Sequence, residues 1–252
     1  VRTAGADHDK KKRKMETSSS SMSQTKKLKL YYFNIKGKGE PIRLLCAYAG
    51  LALEDCRFKS YAEFLELKES MDFGQVPLLE VELTSSYDDD GTVEKHRLVQ
   101  AASILRYLGK LTGLYPEDDP LLAAKVDAAL DQDTDAFTGT TVATYTKRFG
   151  ILPDMEKSWE LINKDVLPRH LASIEKLLDK SPTGWVAGTK EPSPADFVWY
   201  SRFVDYLPAL GKVDARLKNL EDYPKCQAFV QKFKELEPIQ KYYEKQTGVQ
   251  NQ

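Results

Sequence analysis

The sequence predicts a mixed α/β unit of order β-α-β-α-β-β-α followed by an all-helical domain. Three observations predict it. Period-two alternation of apolar and polar residues recurs up to about residue 99 and not beyond. A proline, Pro77, stands just ahead of the third strand pattern. From residue 120 onward every apolar pattern has helical spacing.

The first strand alternates Leu28, Leu30 and Tyr32 against Lys27, Lys29 and Tyr31. A loop with Gly37 and Gly39 leads to Pro41, which suits the first turn of a helix because its missing N–H would be unpaired there. Ile42, Leu45, Cys46 and Ala49 form one helical face, closed by Gly50. A short strand near Glu54–Phe58 and a helix from about Tyr61 to Ser70 come next. Leu79, Val81 and Leu83 alternate with Glu80 and Glu82, a strand with one buried face. Pro77 before it fits an edge, a bulge or a cis bond. Thr84–Gly91 reads as a hairpin loop, Thr92–Val99 as the returning strand, and Gln100–Leu111 as a helix with Ile104, Leu105 and Leu108 inward. The first strand pair is joined through a helix and the last is a hairpin, so the sheet is mixed.

Residues 1–26, with the basic run Lys10–Lys14 and the serine tract Ser18–Ser21, are expected to be a disordered tail, and residues 247–252 a second one. The α/β domain is expected over 27–110, a linker over 111–119 and the helical domain over 120–246. Within the latter, helices are expected over Leu121–Phe149, over Met155–Asp179 with Pro168 bending it, from Ser193-Pro-Ala-Asp196 through Val204, over Tyr223–Leu236 and over Pro238–Lys245. Ser193, Pro194 and Asp196 form a capping box with an aspartate in place of the usual Glu or Gln.

Lys and Arg total 37 against 38 Asp and Glu, a net charge of −1, so no overall field draws the protein to nucleic acid or to a membrane. Cys46, Cys56 and Cys226 form no CxxC pair, and His8, His96 and His170 are scattered, so no metal-ligand cluster or Ser/His/Asp grouping is expected. With no recognisable leader, the expected setting is reducing and cytoplasmic.

A tyrosine at the end of a strand, aimed at a loop that opens a helix, stands where α/β sheets gather ligands. Its ring could equally be strand packing. Adjacent strand residues face opposite ways, so Tyr31 and Tyr32 cannot share one role.

The architecture together with four ordered motifs resembles the cytosolic glutathione transferases, from about Lys27 to Lys245. Tyr32-Phe-Asn34 followed by Gly37, Glu40 and Ile42-Arg43 is similar to the opening signature of the tyrosine-type classes, sigma most closely. Phe73-Gly-Gln-Val-Pro77 resembles the loop before the family's cis-proline. Gln100 with Ile104 and Arg106-Tyr107-Leu108 resembles the start of its third helix. Trp185-Val-Ala-Gly188 with Ser193–Asp196 is similar to its helical capping motif.

The resemblance implies a thioredoxin-like N-terminal domain and a homodimeric detoxifying enzyme that uses glutathione as co-substrate, with no permanently bound cofactor and no metal. Tyr32 would donate its hydroxyl to the glutathione sulfur. Lys38 would lie near the glycyl end or the thiol, Phe64 would stand where a tryptophan is usual, and Lys68 would pair with the glycine carboxylate. Gln75, Val76 and Pro77 would hold the cysteinyl part through the backbone of Val76, and Gln100 the γ-glutamyl end. Asp135 would reach across to the partner subunit's γ-glutamyl amine. Ile35, Phe137, Thr141 and Tyr145 would line the site of a small apolar electrophile. Conjugation is the implied reaction, with isomerase or peroxidase activity as variants. The alternative is a catalytically weak ligand-binding or structural protein on the same fold. The main departure is Ala101, where the family has a serine that binds the γ-glutamyl carboxylate; its loss costs on the order of 1.5–3 kcal/mol.

Overall fold

The computed structural model describes residues 24–84, 93–146, 150, 154–213 and 220–250. Four strands, β1 (Gln24–Phe33), β2 (Leu53–Phe58), β3 (Leu78–Thr84) and β4 (Val93–Val99), form one sheet in the order β2-β1-β3-β4. β1 runs parallel to β2, while β3 is antiparallel to both β1 and β4, the mixed sheet that the connections require. The strand begins earlier than its alternation suggests. Gln24 and Thr25 already pair with Thr84 and Leu83, so residues 24–26 belong to the sheet and not to a tail.

Alternation divides the strand residues between two cores. Leu28, Leu30, Leu79 and Val81 face α1 (Glu40–Tyr48) and α3 (Ala101–Thr112). Tyr31, Phe33, Phe58 and Leu78 face the other way, against Phe64 and Leu67 of α2 (Tyr61–Lys68). Ser60 caps α2 by accepting the Glu63 N–H, and Gly113, at φ 73°, ends α3 in the left-handed conformation that favours glycine.

The helical domain starts at α4 (Pro120–Thr144), whose first N–H groups are taken by the Asp119 carboxylate. Next come α5 (Met155–Leu161) and α6 (Leu167–Lys180), joined without a break through a π turn, Ile162–Val166. Then α7 (Pro194–Ser201) joins α8 (Leu207–Val213) through a second π turn, Arg202–Tyr206. Each π turn is followed by a Leu-Pro pair, Leu167-Pro168 and Leu207-Pro208. A proline has no N–H for the carbonyl four residues back and crowds it. The helix widens by one residue instead, and the Leu167 and Leu207 N–H groups reach back to Ile162 and Arg202. The expected bend at Pro168 is therefore a widened turn just ahead of it. α9 (Pro224–Lys234) and α10 (Glu237–Gln250) complete the chain, so residues 247–250 continue a helix. The expected hairpin loop falls largely on residues 85–92, outside the described ones, whereas the helix expected over Leu121–Phe149 ends at Thr144, because Tyr145 (φ −120°, ψ 48°) leaves the helical conformation.

The capping box forms as its residues imply. Asp196, fully buried, accepts the Ser193 N–H and hydroxyl, each at 2.7 Å, and the Val186 N–H at 2.7 Å. One apolar core runs from Leu28 of β1 through α1, α3, α4 and α7 to Ile239 of α10. Burying each of its large side chains contributes roughly 1.5–3 kcal/mol. Polar ties join the two domains as well: the Tyr48 hydroxyl donates to Glu191 at 2.6 Å, Tyr242 to Glu40 at 3.1 Å, and Lys36 pairs with Asp205 at 2.5 Å.

Candidate active site

Tyr32 is the last residue but one of β1, on the face turned toward α1, and only 7% of its surface is exposed. After Phe33 the chain turns through Gly37–Gly39 straight into α1, and the Lys38 backbone N–H donates to the Tyr32 oxygen at 2.9 Å. Glycine is required for this approach. Gly37 has φ +44°, and a Cβ there would lie 2.7 Å from the phenol oxygen.

Arg43 of α1 lies 5.9 Å from the centre of the Tyr32 ring. It is held by Asp55 at 3.0 Å, Glu40 at 3.3 Å and the Ile35 carbonyl at 3.1 Å. Burial raises the Tyr32 pKa above the ordinary phenol value; the Lys38 N–H and the charges of Arg43 and Arg202 pull it partly back. The phenol is thus protonated at neutral pH. Because its oxygen is the acceptor toward Lys38, its own proton remains to be donated elsewhere.

Sheet register brings two further segments to the same end of the sheet. Tyr31 pairs with Leu78, and Leu78 with Val99, so the start of β3 and the end of β4 lie beside the end of β1. The Val76–Pro77 bond is cis, and pairing of β3 starts at Leu78, which leaves the peptide edge of Val76 outside the ladder. Lys68 reaches this loop by laying its side chain over Gly74, where a Cβ would lie 3.2 Å from the lysine Cε.

At the end of β4, Gln100 is exposed and has φ 71°, the one non-glycine residue with positive φ among the described residues. Strain of this kind is retained where the surroundings enforce it, often at binding sites. The Gln100 carbonyl accepts the Ile104 N–H at 3.0 Å and its side chain caps nothing. The first N–H groups of α3, a twelve-residue helix, point to this corner with the positive end of its dipole. A phenol proton, a peptide edge outside the ladder, a lysine and a helix N-terminus together suit an extended peptide with an acidic end.

Comparisons with known proteins decide the family. Residues 151–246 match the model described as glutathione S-transferase, C-terminal domain. A glutathione S-transferase of Anopheles gambiae is 31% identical over 218 residues, covering 85% of this chain and 94% of that protein. The chain belongs to the glutathione S-transferase family. The hematopoietic prostaglandin D synthase of Gallus gallus is also 31% identical, over 80% of this chain and 94% of its own. The crystal structure of the glutathione S-transferase from Ascaris lumbricoides superposes with a TM-score of 0.65 at 29% identity, covering 87% of this chain and 97% of that one.

Two residues expected to serve a transferase site are buried among other side chains. Phe64 is 7% exposed, with its ring 5.1 Å from Phe33, 5.8 Å from Phe58 and 5.5 Å from Tyr61, because α2 turns this position onto the sheet. Its side chain offers no polar atom. Phe137, expected to line the electrophile site, is 2% exposed and packs 5.2 Å from Tyr206 and 6.2 Å from Trp199.

Ile35 and Tyr145 are exposed, and Thr141 is half-buried with its hydroxyl bonded to the Phe137 carbonyl. Lys38 contributes its backbone N–H to Tyr32, with its side chain exposed. Gln75 is exposed beside the cis bond, and Asp135 is exposed on α4. Ala101 is the first residue of α3 and offers a backbone N–H but no hydroxyl. Across the sheet from Tyr32, Tyr31 instead borders an open hollow of about 370 Å³ with Cys56 and Arg57 of β2, away from the phenol.

Sequence reasoning placed Arg43 in the opening signature without giving it a role, and it missed the Arg202–Asp133 pair. Arg43 follows the glycine loop directly and was within reach of the same pattern. Asp133 lies 69 residues from its partner and gave no signal.

Proposed function

We propose that the protein is a tyrosine-type, sigma-like glutathione transferase in which the Tyr32 hydroxyl stabilises the thiolate of glutathione for attack on small apolar electrophiles. The observation that carries this is the Lys38 N–H to Tyr32 oxygen bond, which fixes the phenol while leaving its proton free. A free thiol has a pKa near 8.5, so only a few per cent is ionised at pH 7. A hydrogen bond worth roughly 1.5–3 kcal/mol to the charged form lowers that value by about one to two units. The sulfur lone pair then forms the new C–S bond as the leaving group departs with its electrons, with both reactants held side by side.

Glutathione would lie along the Val76 edge as one more short strand, its glycine carboxylate toward Lys68 and Lys38. Gln75 and Pro77 would frame the cysteinyl part, while Gln100 and the N-terminus of α3 at Ala101 would receive the γ-glutamyl carboxylate. The exposed Asp135 supports a homodimer in which it meets the partner's γ-glutamyl amine, and the exposed Phe73 supplies apolar surface for such a contact. Ile35, Thr141 and Tyr145 would border the electrophile, in a cytoplasmic, detoxifying enzyme. The prostaglandin D synthase relative makes glutathione-dependent isomerisation the natural variant of the same thiolate chemistry.

Assay of conjugation with a general electrophile, wild type beside Tyr32→Phe, tests this: a loss of roughly ten- to a hundredfold in kcat/KM is expected, and equal rates would remove the donor. Ala101 favours a second reading, a weak enzyme serving as a ligand carrier. Retention on immobilised glutathione together with turnover would argue against that.

A further inference from the structure

Between the end of β1 and the start of α1 the chain reverses within Asn34–Gly39, and one side chain holds that turn from inside. Arg43, the fourth residue of α1, is buried. Its Nη1 donates to the Ile35 carbonyl at 3.1 Å and to the Lys36 carbonyl at 3.4 Å, the two peptide units just before Gly37. The Lys38 N–H, next but one after Lys36, donates to the Tyr32 oxygen at 2.9 Å. Gly39 leaves room for both partners: a Cβ there would lie 3.2 Å from Arg43 Nη1 and 2.8 Å from Tyr32 Cδ1.

Two acids fix the guanidinium in place. Its Nε lies 3.1 Å and 3.0 Å from the two oxygens of Asp55 on β2, and Nη1 lies 3.3 Å from Glu40 Oε2. Asp55 also takes Arg57 Nε at 2.6 Å, and Arg57 Nη1 donates to the Asn34 side chain at 3.3 Å. β2 thereby pins the first residue of the turn as well. Glu40, itself buried, accepts the Tyr242 hydroxyl of α10 on its other oxygen at 3.1 Å. A rigid planar fork can serve two acids and two carbonyls at once, which a lysine ammonium on a flexible stem cannot do in the same geometry.

We propose that Arg43 is a positioning residue: by holding the Ile35 and Lys36 carbonyls it sets where the Lys38 N–H stands, and through that N–H the aim of the Tyr32 proton. Its charge is offset by Asp55 and Glu40, so the role is one of placement and not of field. This rests on the reading of Tyr32 as the donor to the glutathione sulfur. The Val76 edge, Lys68 and Gln100 stand on other segments, so the hold on glutathione is expected to survive a loosened turn.

The test is a double-mutant cycle in the full-length protein, read by steady-state kinetics and by hydrogen exchange at the Lys38 amide. Arg43→Lys keeps the charge and loses the fork. The pair Arg43→Met with Glu40→Gln leaves no unpaired charge, since Asp55 keeps Arg57, and it serves if the lysine variant does not fold. The expected result is a kcat roughly tenfold lower with the glutathione KM little changed. Exchange at Lys38 should quicken as it does in Tyr32→Phe, while the amides of α3 and α4 keep their protection. In a Tyr32→Phe background the same substitution should cost less than about twofold, because the proton it places is gone. Equal losses in both backgrounds, an unchanged kcat, unchanged exchange at Lys38, or failure of both variants to fold would each overturn the assignment and leave Arg43 a residue of stability alone. A wild-type rate in Tyr32→Phe itself would remove the Tyr32 reading, and this proposal with it; a slow Tyr32→Phe beside a normal Arg43→Lys overturns this proposal only.

Discussion

The Lys38 backbone N–H and the Tyr32 oxygen meet at 2.9 Å across a six-residue span that contains Gly37 and Gly39. The loop thus holds the phenol by its oxygen, and the glycines are what let it come so near.

Gly37→Ala tests that dependence. The new Cβ would stand 2.7 Å from the phenol oxygen at φ +44°. A left-handed non-glycine residue costs about 1–2 kcal/mol, so unfolding stability should fall by that amount. Because the phenol must also shift, kcat/KM should fall roughly tenfold, approaching Tyr32→Phe. Steady-state kinetics beside chemical denaturation check both, and an alanine enzyme with wild-type kinetics would show the oxygen's position to be immaterial.

Ala101→Ser is expected to gain function. A hydroxyl at the first position of α3 adds one hydrogen bond to an anionic end, worth about 1.5 kcal/mol, or roughly a tenfold lower KM for glutathione with kcat little changed. Titration calorimetry with glutathione checks it; no gain would mean that the γ-glutamyl carboxylate lies elsewhere.

Gln100→Gly should separate binding from stability. Glycine relieves the positive φ of 71°, raising stability by about 1 kcal/mol. Loss of the amide should raise the glutathione KM roughly tenfold. Opposite signs in the two measurements are the expected signature, whereas a fall in both would make Gln100 a structural residue.

Asp196 sets a pH dependence of stability. Burial pushes its carboxyl from 3.8 up to about 6, against three hydrogen-bond donors that favour the charged form. A carboxyl whose folded pKa is raised contributes stability below its unfolded value and loses that contribution as pH rises through the folded one. The window is therefore about pH 3.8 to 6, and two units correspond to about 3 kcal/mol. Relative to Asp196→Asn, the wild type should lose about that much between roughly pH 4 and pH 7. Denaturant unfolding at both ends measures it, and parallel curves for the two proteins would reject it.

Much of the sheet was legible because alternation reports burial directly: Leu28, Leu30, Leu79 and Val81 all lie inside. The capping box and the proline before β3 were legible because each follows from local chemistry. The burial of Phe64 and Phe137 was not legible, because a position within a motif does not say which way a helix turns its ring. The π turns were missed although both Leu-Pro pairs stand in the chain. A proline alone reads as a bend, and the widened hydrogen bonding shows only once the helix continues past it. Arg202 and Asp133 meet through tertiary packing, which no local pattern encodes.

Because the larger apolar core passes from Leu28 to Ile239, with Tyr48–Glu191 and Lys36–Asp205 stitched across it, the α/β half keeps only the small cluster of Phe58, Phe64, Met71 and Leu78 to itself. A calorimetric scan should accordingly show one melting transition for both halves, and a fragment cut at residue 113 should not stand alone as a folded module.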